Sequence, residues 1–176
     1  MKNKKKVILL GPAHPFRGGI ADTQVQLALN LKALGHEVVV YTFTTQYPKI
    51  LFPGKTQYSD EKPPDGIIVQ RKIHSFNPLN WSKVAKSINS QQPHYVIFRY
   101  WTPFLAPCWN GISRGLKKDI KKIGLVDNWI PHETRPWDNF LRHFFSKSMD
   151  GFATLSHSVG DQIKSDLENC SVWRGF

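Results

Sequence analysis

Val7-Ile8-Leu9-Leu10-Gly11-Pro12 is a short apolar run that breaks at once into a Gly/Pro turn. Working outward, the turn-rich stretch continues to the pair Gly18-Gly19. An amphipathic run then reaches Leu34, and Gly35-His36-Glu37-Val38-Val39-Val40-Tyr41 follows. The pattern predicts strand, glycine loop, helix and strand. Val7–Leu10 is continuous and apolar, as suits a central parallel strand covered on both faces. Ala21, Val25 and Ala28 form one helical stripe, with Leu27, Leu31 and Leu34 beside it. Gly35 suits the residue that closes a helix. Such a βαβ opening sets bare backbone and the positive end of a helix at the carboxyl edge of the first strand, where phosphate groups bind.

The alternation continues along the chain. Residues 44–66 hold Pro48, Pro53, Pro63 and Pro64. They read as a long irregular excursion with room for a short hairpin, and loops of that length are functional or mobile. Strand three is predicted at Ile67–Arg71, a helix from Pro78 to about Ser90, and strand four at Tyr95–Phe98. Arg99 to Phe104 reads as a polar-aromatic loop, followed by a helix towards Lys118 with a break near Gly111. Strand five is Ile123–Val126. A helix from Trp137 to Ser146 carries Phe140, Leu141, Phe144 and Phe145 as its apolar set. Strand six is Gly151–Leu155, Ser156 caps a helix to about Leu167, and Val172-Trp173 begins a further strand. The fold class is therefore α/β, a doubly wound, mostly parallel sheet with helices on both faces. Right-handed crossovers collect the loops after the strands on one edge. Gly18-Gly19, Arg99–Phe104 and Asn128–Arg135 are expected to meet there in one crevice.

Composition sets limits. The 176 residues suit one domain, and 40% hydrophobic with 12% aromatic residues excludes a disordered chain. The net charge of +11 is partly local. Lys2, Lys4, Lys5 and Lys6 crowd the start, and Arg114, Lys117, Lys118, Lys121 and Lys122 form a second patch. Such patches attract anions, or are solvated helix faces. Two cysteines, Cys108 and Cys170, give neither a disulfide framework nor a zinc spacing. The run after the N-terminal lysines is too short for a signal peptide, and no segment reaches a membrane span. The expected setting is cytoplasmic, with peripheral contact at the inner face of a membrane left open.

G-x-G-x-x-G does not follow the first strand, and G-x-x-x-x-G-K-[ST] occurs nowhere, so hydride transfer and P-loop chemistry lose ground. Arg17 before Gly18-Gly19, with a helix behind, offers a guanidinium and exposed N–H groups to a phosphate. His132 lies just past strand five beside Asp127, Asn128, Glu133 and Arg135. It is a candidate for chemistry near neutral pH or a solvated loop histidine. Trp101, Trp129 and Trp137 line a sugar or lipid site, or pack in the core.

Residues 7–42 resemble the opening of the GT-B glycosyltransferases of family 4, formerly group 1. The matching parts are Gly11-Pro12, Arg17-Gly18-Gly19-Ile20-Ala21, Leu27 to Leu34 and Gly35-His36-Glu37-Val38. Pro131-His132-Glu133 and Phe152-Ala153-Thr154-Leu155-Ser156 continue the likeness, which covers nearly the whole chain. The resemblance implies a Rossmann-like domain of a retaining transferase that moves a sugar from a nucleotide-sugar donor to an acceptor hydroxyl, without a metal cofactor. By that likeness Gly18 and Gly19, with Arg17, lie by the donor phosphates, and His132 contacts the transferred sugar as the catalytic residue. Arg99, Trp101, Asn128 and Glu133 are then assigned to the acceptor side. The family's C-terminal domain carries a Glu-x7-Glu pair. Here the four glutamates, at 37, 61, 133 and 168, include no such pair. Residues 1–176 are thus expected to be one N-terminal, acceptor-side domain, inactive alone, whose partners are a UDP- or GDP-sugar, a saccharide or lipid-linked acceptor and a C-terminal donor domain. The rival reading is a module that binds a glycan or an anionic lipid, alone or with a separate C-terminal partner. Nucleic acid is disfavoured, since charge is the sole feature that argues for it.

Overall fold

A computed structural model describes residues 3–47, 64–131 and 135–175 of the chain. Among them are seven strands: β1 (Lys6–Leu10), β2 (Glu37–Thr45), β3 (Ile68–His74), β4 (Tyr95–Tyr100), β5 (Lys121–Val126), β6 (Gly151–Thr154) and β7 (Val172–Arg174). All pair in parallel, in the order β3-β2-β1-β4-β5-β6-β7. Five helices connect them: α1 (Gly19–Ala33), α2 (Pro78–Gln91), α3 (Ala106–Arg114), α4 (Asp138–Ser146) and α5 (His157–Asp166).

The period of two along the central strands explains the layers. Val7, Leu9, Val38 and Val40 face α1 and pack with its Ala28. Ile8, Leu10, Val39, Tyr41, Phe98 and Tyr100 face the other way, into the larger cluster that takes Val84 and Ile88 of α2, Trp109 and Ile112 of α3, Phe145 of α4 and Ile163 of α5. Each fully buried aliphatic or aromatic side chain contributes about 1.5–3 kcal/mol, so the strands hold their register from both faces. Strand order reverses between β1 and β4. The connections leaving them diverge there and open a crevice at the carboxyl edge.

Helix ends follow local chemistry. Asn77 caps α2 by accepting from the N–H groups of Leu79 and Asn80, with Pro78 in the first turn. Ser156 caps α5, as expected, by accepting from Val159. Gly35, at φ 89°, closes α1 as predicted.

Several expectations need correction. Arg99 and Tyr100 belong to β4, because their backbones pair with Leu125 and Val126. β2 runs on to Thr45 and β3 to His74. α3 is unbroken at Gly111, whose missing side chain makes room for Trp81: a Cβ there would lie 2.4 Å from Cε3. That helix stops at Arg114 and does not reach Lys118. In α4, Phe140 is 69% exposed, while Asp138, Arg142 and Phe145 are buried. Leu34 is likewise exposed, and Gln24 takes a buried place on α1. The hairpin expected within 44–66 falls on residues 48–63, outside the described residues.

Candidate functional site

The loop after β1 is pinned before it reaches the glycine pair. Gly11 donates to the Tyr41 carbonyl at 3.1 Å. Ala13 exchanges two hydrogen bonds with the buried Thr42 hydroxyl, at 3.0 and 3.3 Å. Phe16 then sets its ring edge-on to Phe43, 6.2 Å between centroids. From that anchor the chain emerges: Arg17, Gly18 and Gly19 are all exposed.

Gly18 is the N-cap of α1, at φ 111° and ψ 164°, a conformation that a residue with a side chain resists. Its carbonyl accepts from Asp22 at 3.0 Å and starts the helix. No side chain caps this end, in contrast to α2 and α5. The first N–H groups of a helix have no partner within it, so α1 presents its positive end to the crevice. Gly19 is different from Gly18. It lies in the first helical turn without positive φ, and a Cβ built on it meets nothing within 4 Å. The fold tolerates a side chain at 19; glycine leaves that space open.

Beneath the loop runs a chain of polar contacts across the switch point. Thr23 donates its hydroxyl to the Gly19 carbonyl at 2.7 Å and accepts from Arg99 Nη2 at 2.8 Å. Arg99 holds the Asp127 carboxylate with two donors, Nε at 2.5 Å and Nη2. Asp127 in turn donates its N–H to the Tyr100 carbonyl at 2.9 Å. α1, β4 and β5 are thus tied together between Gly19 and the residue before Asn128. Arg99 is 2% exposed, and its guanidinium is spent on this clamp. It holds the crevice wall from within and does not open onto the surface. Gly11 makes room for it: a Cβ there would sit 2.7 Å from Arg99 Cβ and 3.0 Å from Gln24 Nε2. Gln24 is fully buried beside this clamp, and neither of its amide atoms has a hydrogen-bond partner.

Trp101 closes the same edge. Its indole N–H donates to the Tyr47 hydroxyl at 3.0 Å, and its ring meets Phe43 edge-on at 6.3 Å. Phe43 therefore touches both Phe16 of the glycine loop and Trp101. Gly18, Gly19, Arg99, Trp101 and Asn128 belong to one rim, as the crossover argument required. His132 and Glu133 lie outside the described residues, between Pro131 and Arg135. Trp129 is a core residue, fully buried against Tyr100 and Phe152. Its indole N–H donates to Asp166, which also accepts from Arg142 Nε at 2.8 Å. Burial works against the Asp166 charge, but these hydrogen bonds and the Arg142 and His143 charges outweigh it and hold the carboxyl below its usual range.

The Lys121-Lys122 part of the basic patch lies at the opposite, amino edge of the sheet. Backbone hydrogen bonds from Glu37 to Lys5, His94 to Lys6, Lys121 to His94 and Asp150 to Lys122 set these residues in one row there. Lys117 and Lys118, also exposed, sit in the turn just before β5. Among the described residues no three His, Cys, Asp or Glu side chains gather as a metal site, and no helix is long and apolar enough to cross a membrane. Burial pushes the Cys108 thiol up, away from thiolate chemistry.

The sequence hid Gln24 and the Arg99–Asp127 clamp. Gln24 stands at i+3 from Ala21 and i−4 from Ala28, inside the apolar stripe. A lone amide at such a place was the available signal. The ion pair joins positions 28 apart, a separation with no local pattern.

No curated protein matches this chain. Solved structures do. An alpha-glucosyltransferase in complex with UDP shares 10% identity at a TM-score of 0.62, over 97% of this chain and 43% of that one. An alpha-glucosyltransferase with UDP and a 13-mer DNA containing a central A:G mismatch gives 10% and 0.60, over 97% and 40%. A UDP-N-acetylglucosamine 2-epimerase from Rickettsia bellii gives 12% and 0.54, over 98% and 44%. At such identities the likeness is one of fold, and this chain spans less than half the length of each of these structures. A family model decides the rest: Glycosyltransferase Family 4 matches residues 17–173, from the arginine before the glycine pair to β7, and the chain belongs to that family.

Proposed function

We propose that this chain is the acceptor-side half of a retaining glycosyltransferase that takes a nucleotide sugar, such as a UDP- or GDP-sugar, and glycosylates an acceptor hydroxyl. The observation that carries the reading is the open space at Gly19, at an uncapped helix N-terminus held from below by Thr23, Arg99 and Asp127. The fold has no need of glycine there, and the bare backbone leaves room for a phosphate group to approach.

In this reading the first N–H groups of α1 receive the donor diphosphate and stabilise the charge that builds on it as the sugar leaves. Arg17 adds a guanidinium, so the charge is met without a metal ion. His132 orients the transferred sugar as the catalytic residue. Trp101, Asn128 and Glu133 shape the acceptor pocket, and Arg99 holds its wall by fixing Asp127. A C-terminal donor domain supplies the nucleotide contacts, and the setting is cytoplasmic.

Calorimetry with UDP-glucose and GDP-mannose tests this. The chain alone is expected to bind weakly, above micromolar, and Gly19→Ala to abolish that binding while unfolding at the same denaturant concentration as wild type or a slightly higher one. Submicromolar affinity contradicts the half-site reading, and a Gly19→Ala variant that binds normally removes its main support.

The cation row at the amino edge favours a second reading, attachment to an anionic lipid surface. Sedimentation with phosphatidylglycerol vesicles across a salt series checks it, since electrostatic attachment fades as ionic strength rises.

A further inference from the structure

A second concavity opens near the glycine-loop rim. It lies among the first turns of α2, α3 and α4, on the sheet face opposite α1, and has a volume of about 270 Å³. Phe76, Trp81, Phe104, Pro107, Trp137 and Leu141 line it. The remaining wall residue, Ser75, already donates its hydroxyl to the Gln46 carbonyl at 2.6 Å. The Trp81 indole N–H is likewise engaged, by the His74 carbonyl at 2.9 Å.

These walls offer few hydrogen-bond partners to the hydroxyl groups of a sugar. A saccharide placed there would give up water on several hydroxyls and find almost no replacement, and each lost partner is costly. The walls instead suit hydrocarbon. They are also unusually open for apolar groups: Trp137 is 56% and Phe76 46% exposed, and Leu79 and Phe140, in the first turns of α2 and α4, are 78% and 69% exposed. Exposed apolar surface gathered in this way marks a binding place.

The pocket is continuous with the rim. Phe104 packs its ring on Tyr47, 5.7 Å between centroids, and Tyr47 accepts from the Trp101 indole. One aromatic residue thus separates the apolar pocket from the Trp101 side of the crevice. Size sets the ligand. A dry cavity of about 150 Å³ holds one benzene ring, so the space here takes a chain of roughly ten carbon atoms.

We propose that this pocket binds the apolar aglycone of the acceptor, a hydrocarbon chain carried by the molecule whose hydroxyl is glycosylated at the neighbouring crevice. The inference rests on the transferase reading and deepens it: the acceptor is amphiphilic, with its polar end at Trp101 and Asn128 and its chain against Trp81 and Trp137.

The test is a titration of the chain with methyl, butyl, hexyl and octyl β-glucosides, each below its micelle-forming concentration, read by calorimetry and tryptophan fluorescence. Binding should tighten by up to about four-fold per methylene that enters, so that octyl glucoside binds about a hundred-fold or more tighter than methyl glucoside. Trp137→Ala should weaken octyl binding about ten-fold, and Trp173→Ala, on the exposed face of β7, should leave it unchanged. Geranyl glucoside in the same series separates an isoprenoid chain from a straight one by which of the two binds tighter. Equal affinity for methyl and octyl glucosides, in wild type alone, overturns the proposal. So does octyl binding that survives Trp137→Ala but not Trp173→Ala. Titration of the same samples with UDP-glucose and GDP-mannose reads the transferase assignment separately. Nucleotide binding without alkyl dependence removes only the pocket, and alkyl dependence without nucleotide binding removes only the donor side.

Discussion

The two edges of this sheet present positive charge by opposite means. The amino edge does it with numbers: Lys5, Lys121 and Lys122 stand in a row, with Lys117 and Lys118 close by in sequence. These are long, mostly exposed cations on flexible stems, whose field is weakened by salt. The carboxyl edge does it with geometry. Its glycine pair carries no side chain, and its donors are backbone groups held by a buried clamp through Thr23, Arg99 and Asp127. The first arrangement suits any polyanion. In the proposed function the second receives one phosphate group and needs no reorganisation when charge moves onto it. Net charge therefore identifies a sticky surface in this chain, while the chemistry is expected where charge is scarce and the backbone is bare.

The comparison breaks most visibly at Asp127. Asp127→Ala leaves Arg99 charged and buried without its partner, at a cost of about 3–5 kcal/mol, seen as a lower denaturant midpoint and a weaker response to nucleotide sugars. Gly18→Ala should cost about 1–3 kcal/mol from backbone strain alone, since nothing crowds the position.

The Arg142–Asp166 pair sharpens the contrast, because it is a clamp of similar make between α4 and α5, away from the glycine loop. Asp166→Asn should cost about 2 kcal/mol at neutral pH and leave nucleotide-sugar binding intact. The pH dependence has a definite sign. The folded-state pKa of Asp166 lies below its ordinary value of 3.8. Its contribution is therefore complete above that value and is lost as pH falls through the folded value, so wild type and variant should converge in acid unfolding curves below pH 3.8. The smallest effect belongs to the amino edge. Lys121→Ala with Lys122→Ala should change stability by no more than about 0.5 kcal/mol and lower only salt-sensitive attachment to vesicles.

Much of the frame was legible in the chain. Val7–Leu10 and Val38–Tyr41 are apolar runs buried on both faces, and Gly35 and Ser156 end and begin helices by local chemistry that reads directly. The convergence of the strand-end loops followed from handedness. What stayed hidden depends on partners far away in sequence. Arg99 reads as a loop cation until β5 pairs with it and Asp127 claims its guanidinium. Gln24 reads as a blemish in an apolar stripe. Phe140 and Leu141 fit the same helical pattern, but Phe140 is left exposed and Leu141 lines a pocket that no local spacing announces. Trp129 and Trp137 were indistinguishable as residues; one became core and the other a pocket wall.

The central claim is that phosphate is received by the first backbone N–H groups of α1. Titrating the isotopically labelled chain with UDP-glucose and reading backbone amide shifts tests it most directly. The account predicts saturable shifts at Gly18, Gly19, Ile20 and Ala21 that persist at raised salt, with Lys121 and Lys122 unmoved. Shifts confined to the lysine row, fading as salt is added, would contradict it.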